Sequence, residues 1–420
     1  MDNVKRNLKR AGIYVFTLLK WIFVAAITGT VGGLVGVAFH ISVEKVTELR
    51  VENSWIIFLL PVGGLVIAGL YKLCKLEKAG TDEVIDSVRT EKSVPVLLAP
   101  LIFVSTVITH LFGGSAGREG AALQLGGSIG AQVGRTLRFD EKDMHLATLC
   151  GMSAVFSALF GTPLTATMFA LEVISVGVVY YSGIIPCLVS ALVAYGISLL
   201  LKVEPVHFTL GAIPEYSFLP FAKVALLSAV CAALSIAFCL LMTFSHKGAK
   251  KLFKNPFIRA AVGGAVIIIL SLIFPNDYNG AGMNIVEKAI NGDAVGYAFL
   301  LKMIFTAVTI GFGFKGGEIV PTFFIGATFG CFFGSLIGLD AGFAAAIGLV
   351  ALFCAVVNCP IASIFLSIEL FGIGGFIYFA VACALSFALS GYFGLYSSQK
   401  IIYSKTRAEY ININTWKEIE

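Results

Sequence analysis

Long apolar runs set the first constraint on how this 420-residue chain folds. They include residues 13–43, 94–112, 221–244 and 326–359. Runs of this length can cross about 30 Å of hydrocarbon, alone or with tilt. With 58% hydrophobic and 13% charged residues, the chain is also too apolar for a soluble globule. The sequence therefore predicts an all-α polytopic protein embedded in a lipid bilayer.

The distribution of charge and the positions of the cysteines argue against several other classes of protein. Four basic residues within Met1–Arg10 precede the first apolar run, and no small-residue cleavage site follows. This pattern predicts a retained first helix with a cytoplasmic start. The net charge of +5 is spread over short segments, which argues against a nucleic-acid partner, and none of the nine cysteines forms a C-x-x-C pair. Neither a metal nor a cofactor is expected.

Glycine and proline interrupt many of the apolar runs, as in transporters with broken helices around a buried site. Pro163 predicts one such break, because proline ends a helix before it. Three prolines between Val203 and Pro220 mark a boundary between two halves. The expected organisation is a cytoplasmic N-terminus at 1–12, a first repeat at 13–203, a connecting segment at 204–220, a second repeat at 221–397 and a cytoplasmic tail at 398–420.

An internal repeat relates the two halves. Gly151 and Gly348, Pro163 and Pro360, and the acids Glu172 and Glu369 are matched pairs with an offset of 197 residues. Gly-Arg-Glu119 matches Gly-Gly-Glu318 with an offset of 199, and Ala79-Gly80 matches Ala281-Gly282 with an offset of 202. Shared helix packing would explain the small residues but not the repeated acids and prolines.

The two halves are predicted to have opposite topology. Lysines and arginines precede the first span of half one, whereas the basic segment 246–254 follows the first span of half two. Under the positive-inside rule this arrangement predicts inverted repeats. Inverted repeats place an ion site near the middle of the membrane.

The strongest candidate for such a site is a glycine-rich turn. Glu119 follows Arg118 between Gly117 and Gly120, and a helix is predicted to begin there. Backbone N–H groups at a helix start attract an anion, so a carboxylate at this position can act as a resident anion that competes with a mobile one. The alternative is a helix cap in which Glu119 pairs with Arg118. In a membrane the functional interpretation is favoured, because intramembrane acids are usually functional.

With these motifs, the chain resembles the CLC family of anion channels and proton-coupled anion exchangers over nearly its whole length. Gly117-Arg-Glu-Gly120 is similar to the family's gating-glutamate motif, and Gly316-Gly-Glu-Ile-Val-Pro321 to its second-half anion-binding motif. Tyr396, in Gly394-Leu-Tyr-Ser-Ser, is similar to its anion-coordinating tyrosine.

The resemblance implies a homodimer with one pore per subunit and no cytoplasmic regulatory domains. It implies that the protein transports halides by exchanging fluoride or chloride for protons. Glu119 would be the gate and Glu318 a second proton-transfer residue. The anion-binding residues that it implies are Ala79, Gly80, Thr81, Gly117, Arg118, Gly120, Ile319, Val320 and Tyr396. The expected location is the plasma membrane of a prokaryote.

Three departures from chloride-transporting members point to the fluoride-exporting branch. The first anion motif, with its serine hydroxyl, is replaced by Lys78-Ala-Gly-Thr-Asp82, and Val173 occupies the place of an inner proton-relay glutamate. Glu318 stands where those members have an apolar residue. The methionine or asparagine that the fluoride branch often carries in the first motif is absent.

Other interpretations remain open at this point. A passive chloride channel of the same fold is favoured by Val173, and a membrane enzyme is a remote alternative. Glu318 can be a helix-start acid held by backbone amides, and Tyr396 an interfacial tyrosine. Glu172 and Glu369 are expected to have structural roles as hydrogen-bonding residues. His110 is expected to have a packing role.

Overall fold

The computed structural model describes residues 2–90, 92–274 and 276–416, and helices dominate it. The first eight are α1 Asp2–Glu52, α2 Leu60–Leu73, α3 Thr81–Ser87, α4 Leu98–Leu111, α5 Glu119–Thr136, α6 Glu141–Phe160, α7 Pro163–Glu172 and α8 Ile184–Leu200. The others are α9 Phe218–Leu252, α10 Pro256–Ile273, α11 Met283–Ile290, α12 Ala298–Gly311, α13 Ile319–Leu336, α14 Ala341–Val357, α15 Pro360–Phe371 and α16 Phe376–Leu389. In this part of the chain, seven helical stretches are long and apolar enough to cross a membrane.

The helices confirm the predicted repeat. Helices α2 to α7 recur in the same order as α10 to α15, and α4 and α12 start 200 residues apart. Asp140 and Asp340 cap α6 and α14 in the same way, each accepting a hydrogen bond from the backbone N–H three residues on. Because α6 has 20 residues and α14 has 17, the offset falls from 200 to 197 beyond them. A deletion of three residues in α14 thus explains the change from 200 to 197, whereas the offset of 202 between the starts of α3 and α11 is a separate difference.

The match between Glu119 and Glu318 is wrong by one residue. Helix α5 starts at Glu119, whereas α13 starts at Ile319, and Glu318 precedes that helix. Gly117 pairs with Gly317 in an antiparallel bridge, which fixes the local offset at 200. Glu318 is therefore equivalent to Arg118, and the two acids are not equivalent positions of the repeat.

Glycines bring the central helices into contact. A Cβ at Gly126 of α5 would lie 2.2 Å from the carbonyl oxygen of Gly151 in α6. In the second half, a Cβ at Gly326 would lie 2.5 Å from the carbonyl oxygen of Gly348. Larger residues would force these helix pairs apart, and close backbone approach through small residues stabilises helix pairs in lipid.

The predicted break before Pro163 is confirmed. Helix α6 ends at Gly161 with a φ of 70°, and α14 ends at Asn358 with a φ of 57°. Both are left-handed C-caps, and a proline starts the next helix two residues later. The apolar stretch 326–359, in contrast, contains two helices, because Asp340 caps a new helix start within it.

The last part of the chain forms strands that sequence reasoning did not predict. Strand β2 (Lys400–Tyr403) pairs in parallel with β1 (Ser175–Val176) and antiparallel with β3 (Tyr410–Asn414). This small sheet joins the end of the chain to the segment after α7. It also places Thr415 beside the loop that carries Tyr396.

Candidate anion site

The two glycine-rich motifs meet at a reciprocal pair of hydrogen bonds. The N–H of Gly117 donates to the carbonyl oxygen of Gly317 at 2.7 Å, and the N–H of Gly317 donates to that of Gly117 at 2.7 Å. Helices α5 and α13 begin two residues after these glycines, so their N-termini converge. Free N–H donors and the positive ends of two helix dipoles are thus concentrated in one place.

The carboxylate of Glu119 occupies this place, and the side chain is 1% exposed. Its Oε2 accepts a hydrogen bond of 2.9 Å from the backbone N–H of Arg118. The N–H groups of Glu119 itself and of Val320, from the second repeat, also interact with it. Arg118 Nε lies 3.5 Å from Oε1, so the pairing expected of a helix cap is present too. The carboxylate therefore binds amides of both repeats, as an anion would.

Glu318 approaches the same motif from the other side. Its Oε2 would lie 3.0 Å from a Cβ at Gly120, so the carboxylate packs against that glycine. That oxygen is buried and has no hydrogen-bond partner among the described residues. Glu318 is the N-cap of α13 but makes no side-chain capping bond. The backbone N–H of Glu318 itself interacts with the carboxylate, but Oε2 is left without the amide partners expected of a fully satisfied helix-start acid.

Tyr396 carries a buried hydroxyl that interacts electrostatically with Glu318 and Glu119. The residue is 3% exposed, and its buried Oη has no hydrogen-bond partner within the described part of the chain. Its backbone is held in place, because Thr415 Oγ1 donates to its carbonyl oxygen at 2.7 Å. A tyrosine of an interfacial belt would expose its hydroxyl to water or headgroups, so this alternative is not supported.

The first anion motif lies at the start of α3. Ala79 is 3% exposed, and Gly80 is the N-cap residue. The hydroxyl of Thr81 accepts a hydrogen bond from Gln124 Nε2 at 3.0 Å and donates its own proton to the carbonyl oxygen of Gly120 at 3.5 Å. The hydroxyl of the first motif therefore already has an acceptor, although a distant one.

Sequence reasoning missed two polar residues beside this motif. Gln124 is 5% exposed in α5, and its Oε1 has no partner among the described residues. Asp82 accepts hydrogen bonds from Ser397 Oγ at 2.6 Å and from Ser398 N and Oγ, both at 2.9 Å. Asp82 therefore ties α3 to the Tyr396 loop. A glutamine between apolar residues, five positions after Glu119, was the available signal for Gln124.

Comparison with known proteins decides the family. The voltage-gated chloride channel family matches residues 63–391 of the chain. This chain is a member of the CLC family. A chloride/fluoride channel protein from Pseudomonas syringae pv. tomato is 34% identical over 402 residues, covering 92% of this chain and 88% of the relative.

Other CLC relatives and solved structures agree with this assignment. An H(+)/Cl(-) exchange transporter, ClcA, from Vibrio campbellii is 26% identical over 382 residues, covering 83% of this chain and 81% of the relative. A crystal structure of a CLC-type fluoride/proton antiporter superposes with a TM-score of 0.88 at 29% identity, covering 91% of this chain and 98% of that one. The chain is thus a multi-pass integral membrane protein with the CLC fold.

Within the CLC fold, Glu172 and Glu369 hold the two repeats together. Glu172, at the end of α7, accepts hydrogen bonds from the N–H groups of Ile361 and Ala362 at 3.2 and 2.7 Å. Glu369, in α15, accepts from Leu164 N, Thr165 N and Thr165 Oγ1 at 2.9, 2.8 and 2.6 Å. Each acid thus binds the N-terminus of the other repeat's helix, which is the hydrogen-bonding role expected from the sequence.

Two further positions complete the description. Val173 is fully buried, so no acid stands at the place of the inner proton-relay glutamate. His110 is 1% exposed, and its Nδ1 lies 2.9 Å from the carbonyl oxygen of Thr106, whereas its Nε2 has no described partner. Among the described residues, no three histidine, cysteine or acidic side chains are grouped as metal ligands.

Proposed function

We propose that this CLC protein exchanges fluoride, or chloride, for protons, with Glu119 as the gate and Glu318 as the second proton carrier. One observation carries the proposal: the Glu119 carboxylate occupies a cradle of backbone amides from both repeats. An anion entering that cradle competes with the carboxylate. Protonation removes the charge of Glu119 and weakens its hold on the amides, so arrival of the anion and uptake of a proton are coupled.

Glu318 supplies the second protonatable group. Its buried Oε2 has no described partner and lies against the glycine that follows Glu119. Val173 leaves the usual inner position without an acid, so a proton that moves between Glu119 and the cytoplasm needs another carrier. Buried intramembrane acids are functional by default, and Glu318 is the one beside the gate.

The preference for fluoride is supported by the donors and by the relatives. In the described structure the Thr81 hydroxyl of the first motif accepts from Gln124 and donates to the carbonyl oxygen of Gly120, whereas the buried Tyr396 Oη has no partner and remains available as a donor. One relative is named a chloride/fluoride channel protein, and the superposed antiporter is a fluoride/proton antiporter. The name of another, an H(+)/Cl(-) exchange transporter, keeps chloride as the alternative substrate.

A passive chloride channel of the same fold is the second candidate, and the buried Val173 favours it. In a channel, Glu119 would still compete with the anion, but no proton would cross with it. The two functions differ in one measurable property. Only the exchanger moves protons uphill when a halide gradient is imposed.

The assembly is proposed to be a homodimer in the bilayer, as in the family. Helices α7 and α15 are in contact and carry exposed apolar side chains, with Leu164 at 40% and Ile361 at 42% exposure. Their equivalent places in the repeat make this surface two-fold related within one subunit. The mass of the protein-detergent complex by light scattering tests the dimer.

The test of the function uses purified protein in liposomes. Fluoride and chloride efflux are followed with halide electrodes while the pH is recorded. The wild type is expected to move protons against their gradient when a fluoride gradient is imposed. Glu119→Gln is expected to abolish proton movement, because its side chain cannot carry a proton. Uphill proton movement that survives this substitution would refute the gate assignment.

Glu318→Gln separates the exchanger from the channel. It is expected to slow proton-coupled flux severely, whereas Val173→Ala, a matched change at a buried position without an acid, is expected to do little. Fluoride-driven proton movement at the wild-type rate in Glu318→Gln would exclude Glu318 as a carrier. Passive halide flux in the wild type, without proton movement, would support the channel.

A further inference from the structure

Lys405 lies in the turn between β2 and β3, and its amino group reaches the end of α14. Nζ donates to Asn358 Oδ1 and, at 2.9 Å, to Ser390 Oγ. Asn358 is 1% exposed and Ser390 is fully buried. Nζ also lies 4.6 Å from the ring centroid of Phe387 in α16. The end of the chain thus places an amine among buried groups next to the Tyr396 loop, defined as residues 391–399.

The side chain of Asn358 holds this loop on both sides of Tyr396. Its Nδ2 donates to the carbonyl oxygen of Phe393 and to Gln399 Oε1, both at 3.0 Å. Phe393 precedes Tyr396 by three residues, and Gln399 follows it by three. A Cβ at Gly394 would lie 2.7 Å from the same Nδ2, so a glycine lets the amide approach the loop.

Lys405 fixes which way that amide points. Both N–H groups of the Asn358 side chain are used in bonds to the loop, so its oxygen faces away from the loop and accepts from Lys405. Without this donor the buried oxygen would lack a partner, at a cost that a rotated amide could relieve only by giving up its bonds to the loop. The equivalent position of the first repeat, 197 residues earlier, is Gly161, which has no side chain. The arrangement therefore belongs to the half that carries Tyr396.

The surroundings of Lys405 suit a neutral amine. Its two oxygen acceptors match the two N–H groups of an amine, whereas an ammonium has a third. No carboxylate lies within ion-pair distance of it in the described structure. The titratable groups that interact with it are the thiols of Cys354, Cys239 and Cys359, and burial outside the spanning helices lowers its pKa to about 7. Lys405 therefore serves as a hydrogen-bond donor rather than as a charge.

Anchoring of the tail does not by itself explain an amine at this position. Thr415 Oγ1 already donates to the carbonyl oxygen of Tyr396 at 2.7 Å, and Trp416 Nε1 donates to that of Gly394 at 2.9 Å. An apolar side chain at position 405 would pack against Phe387 without the cost of burying a polar group. The bond to Asn358 is what distinguishes the lysine from such a side chain.

We propose that Lys405 is a positioning residue for anion binding, which acts through Asn358 to hold the Tyr396 hydroxyl at the anion. The buried Tyr396 Oη has no hydrogen-bond partner among the described residues. Its position therefore depends on the backbone of the loop, which the Asn358 amide fastens on both sides. This inference rests on the anion site of the proposed function and adds a residue that does not touch the anion.

The test measures halide binding to the purified protein by calorimetry, with fluoride and with chloride. Lys405→Met is expected to weaken binding about three- to tenfold, because the Asn358 amide loses its donor. Lys405→Gln keeps two N–H donors without a titratable charge and is expected to bind within about twofold of the wild type. Lys400→Met is the matched control. Lys400 is a partly buried lysine of β2 whose side chain makes no hydrogen bond in the described structure, and this variant is expected to keep the wild-type affinity.

A double-mutant cycle shows whether Lys405 acts through Tyr396. Once Tyr396→Phe has removed the hydroxyl, Lys405→Met is expected to have little further effect on binding. The double variant would then bind halide about as tightly as Tyr396→Phe alone. A loss of affinity in the double variant equal to the product of the two single losses would overturn the proposal, and so would wild-type affinity in Lys405→Met.

Asn358→Gly keeps the proposal testable if Lys405→Met does not fold. Glycine is the residue at the equivalent Gly161, and it accepts the φ of 57° found at Asn358. This variant is expected to weaken binding as Lys405→Met does, and wild-type affinity would overturn the proposal. Proton movement driven by a fluoride gradient is measured separately in liposomes. Its absence would refute the proposed exchange but leave the outcome of the binding cycle unchanged, so the two failures are distinguishable.

Discussion

Replacing Glu172 tests whether it is a structural cap or a proton carrier. Its carboxylate is the acceptor for Ile361 N and Ala362 N at the start of α15, and the residue is 6% exposed. Glu172→Ala leaves the buried N–H of Ala362 without an acceptor, whereas Ile361 is 42% exposed. Since a buried donor left without its partner costs about 1 to 3 kcal/mol, the substitution is expected to destabilise the protein by about that amount. Glu172→Gln keeps a carbonyl oxygen and is expected to cost about half as much.

Glu369 provides the matched comparison. It accepts three hydrogen bonds rather than two, and each acid has one partly exposed backbone partner, Leu164 at 40% or Ile361 at 42%, and one buried partner, Thr165 or Ala362. Glu369→Ala is therefore expected to destabilise the protein by an amount comparable to Glu172→Ala, because each variant leaves one fully buried N–H without an acceptor.

The assay combines thermal unfolding in detergent with proton-coupled halide flux in liposomes. Both glutamine variants are expected to unfold at lower temperature and, when folded, to transport at near the wild-type rate. The opposite result for Glu172→Gln, an unchanged unfolding temperature with proton movement lost, would refute the cap. Glu172 would then be the inner proton carrier, beside the position that Val173 occupies.

Three further perturbations follow from the site and its supports. Gly317→Ala would place a Cβ 2.3 Å from the backbone nitrogen of Gly120, so it is expected to separate the two motifs and abolish halide flux in liposomes; normal flux would contradict the tight pairing. Tyr396→Phe removes one donor and is expected to weaken halide binding about tenfold by calorimetry at an unchanged unfolding temperature, whereas unchanged binding would show that the hydroxyl does not contact the anion. In the turn after β2, outside the spanning helices, burial lowers the pKa of Lys405 to about 7. Between this pH and the ordinary lysine pKa, the unfolded chain binds more protons than the folded protein. The free energy of unfolding therefore rises with pH by at most about 1.4 kcal/mol per pH unit. Lys405→Met is expected to flatten the increase of unfolding temperature with pH. An unaltered dependence of the unfolding temperature on pH would contradict the burial of a neutral Lys405 amine.

The sequence predicted the parts of the fold that depend on composition and spacing. Apolar runs indicated the spanning helices, and Pro163 and Pro360 marked helix starts that the structure confirms. The paired acids Glu172 and Glu369 indicated a shared role, and the structure gives both the same crossed contact. These features are local or repeated, so one sequence suffices to find them.

The parts that were missed depend on contacts between distant segments. Gly-Arg-Glu and Gly-Gly-Glu read alike, and only the hydrogen bonds between Gly117 and Gly317 show that the second acid lies one position earlier relative to its helix. Asp82 contacts Ser398, 316 residues away, and no local pattern indicates that bond. The strands at the end of the chain did leave a signal, because polar and apolar residues alternate through Tyr410–Asn414.

The one-residue difference between the acids gives them unequal roles in a repeat that is otherwise symmetric. Glu119 is the first residue of α5, so its carboxylate folds back onto amides at the helix start. Glu318 precedes α13, makes no capping bond, and keeps an oxygen without a described partner. If the acids were equivalent, each would compete with the anion at its own helix start, and a proton on either would have the same effect. Because they are not, the proposed exchange of a halide for a proton assigns them different roles, in which Glu119 gives way to the anion and Glu318 remains beside it.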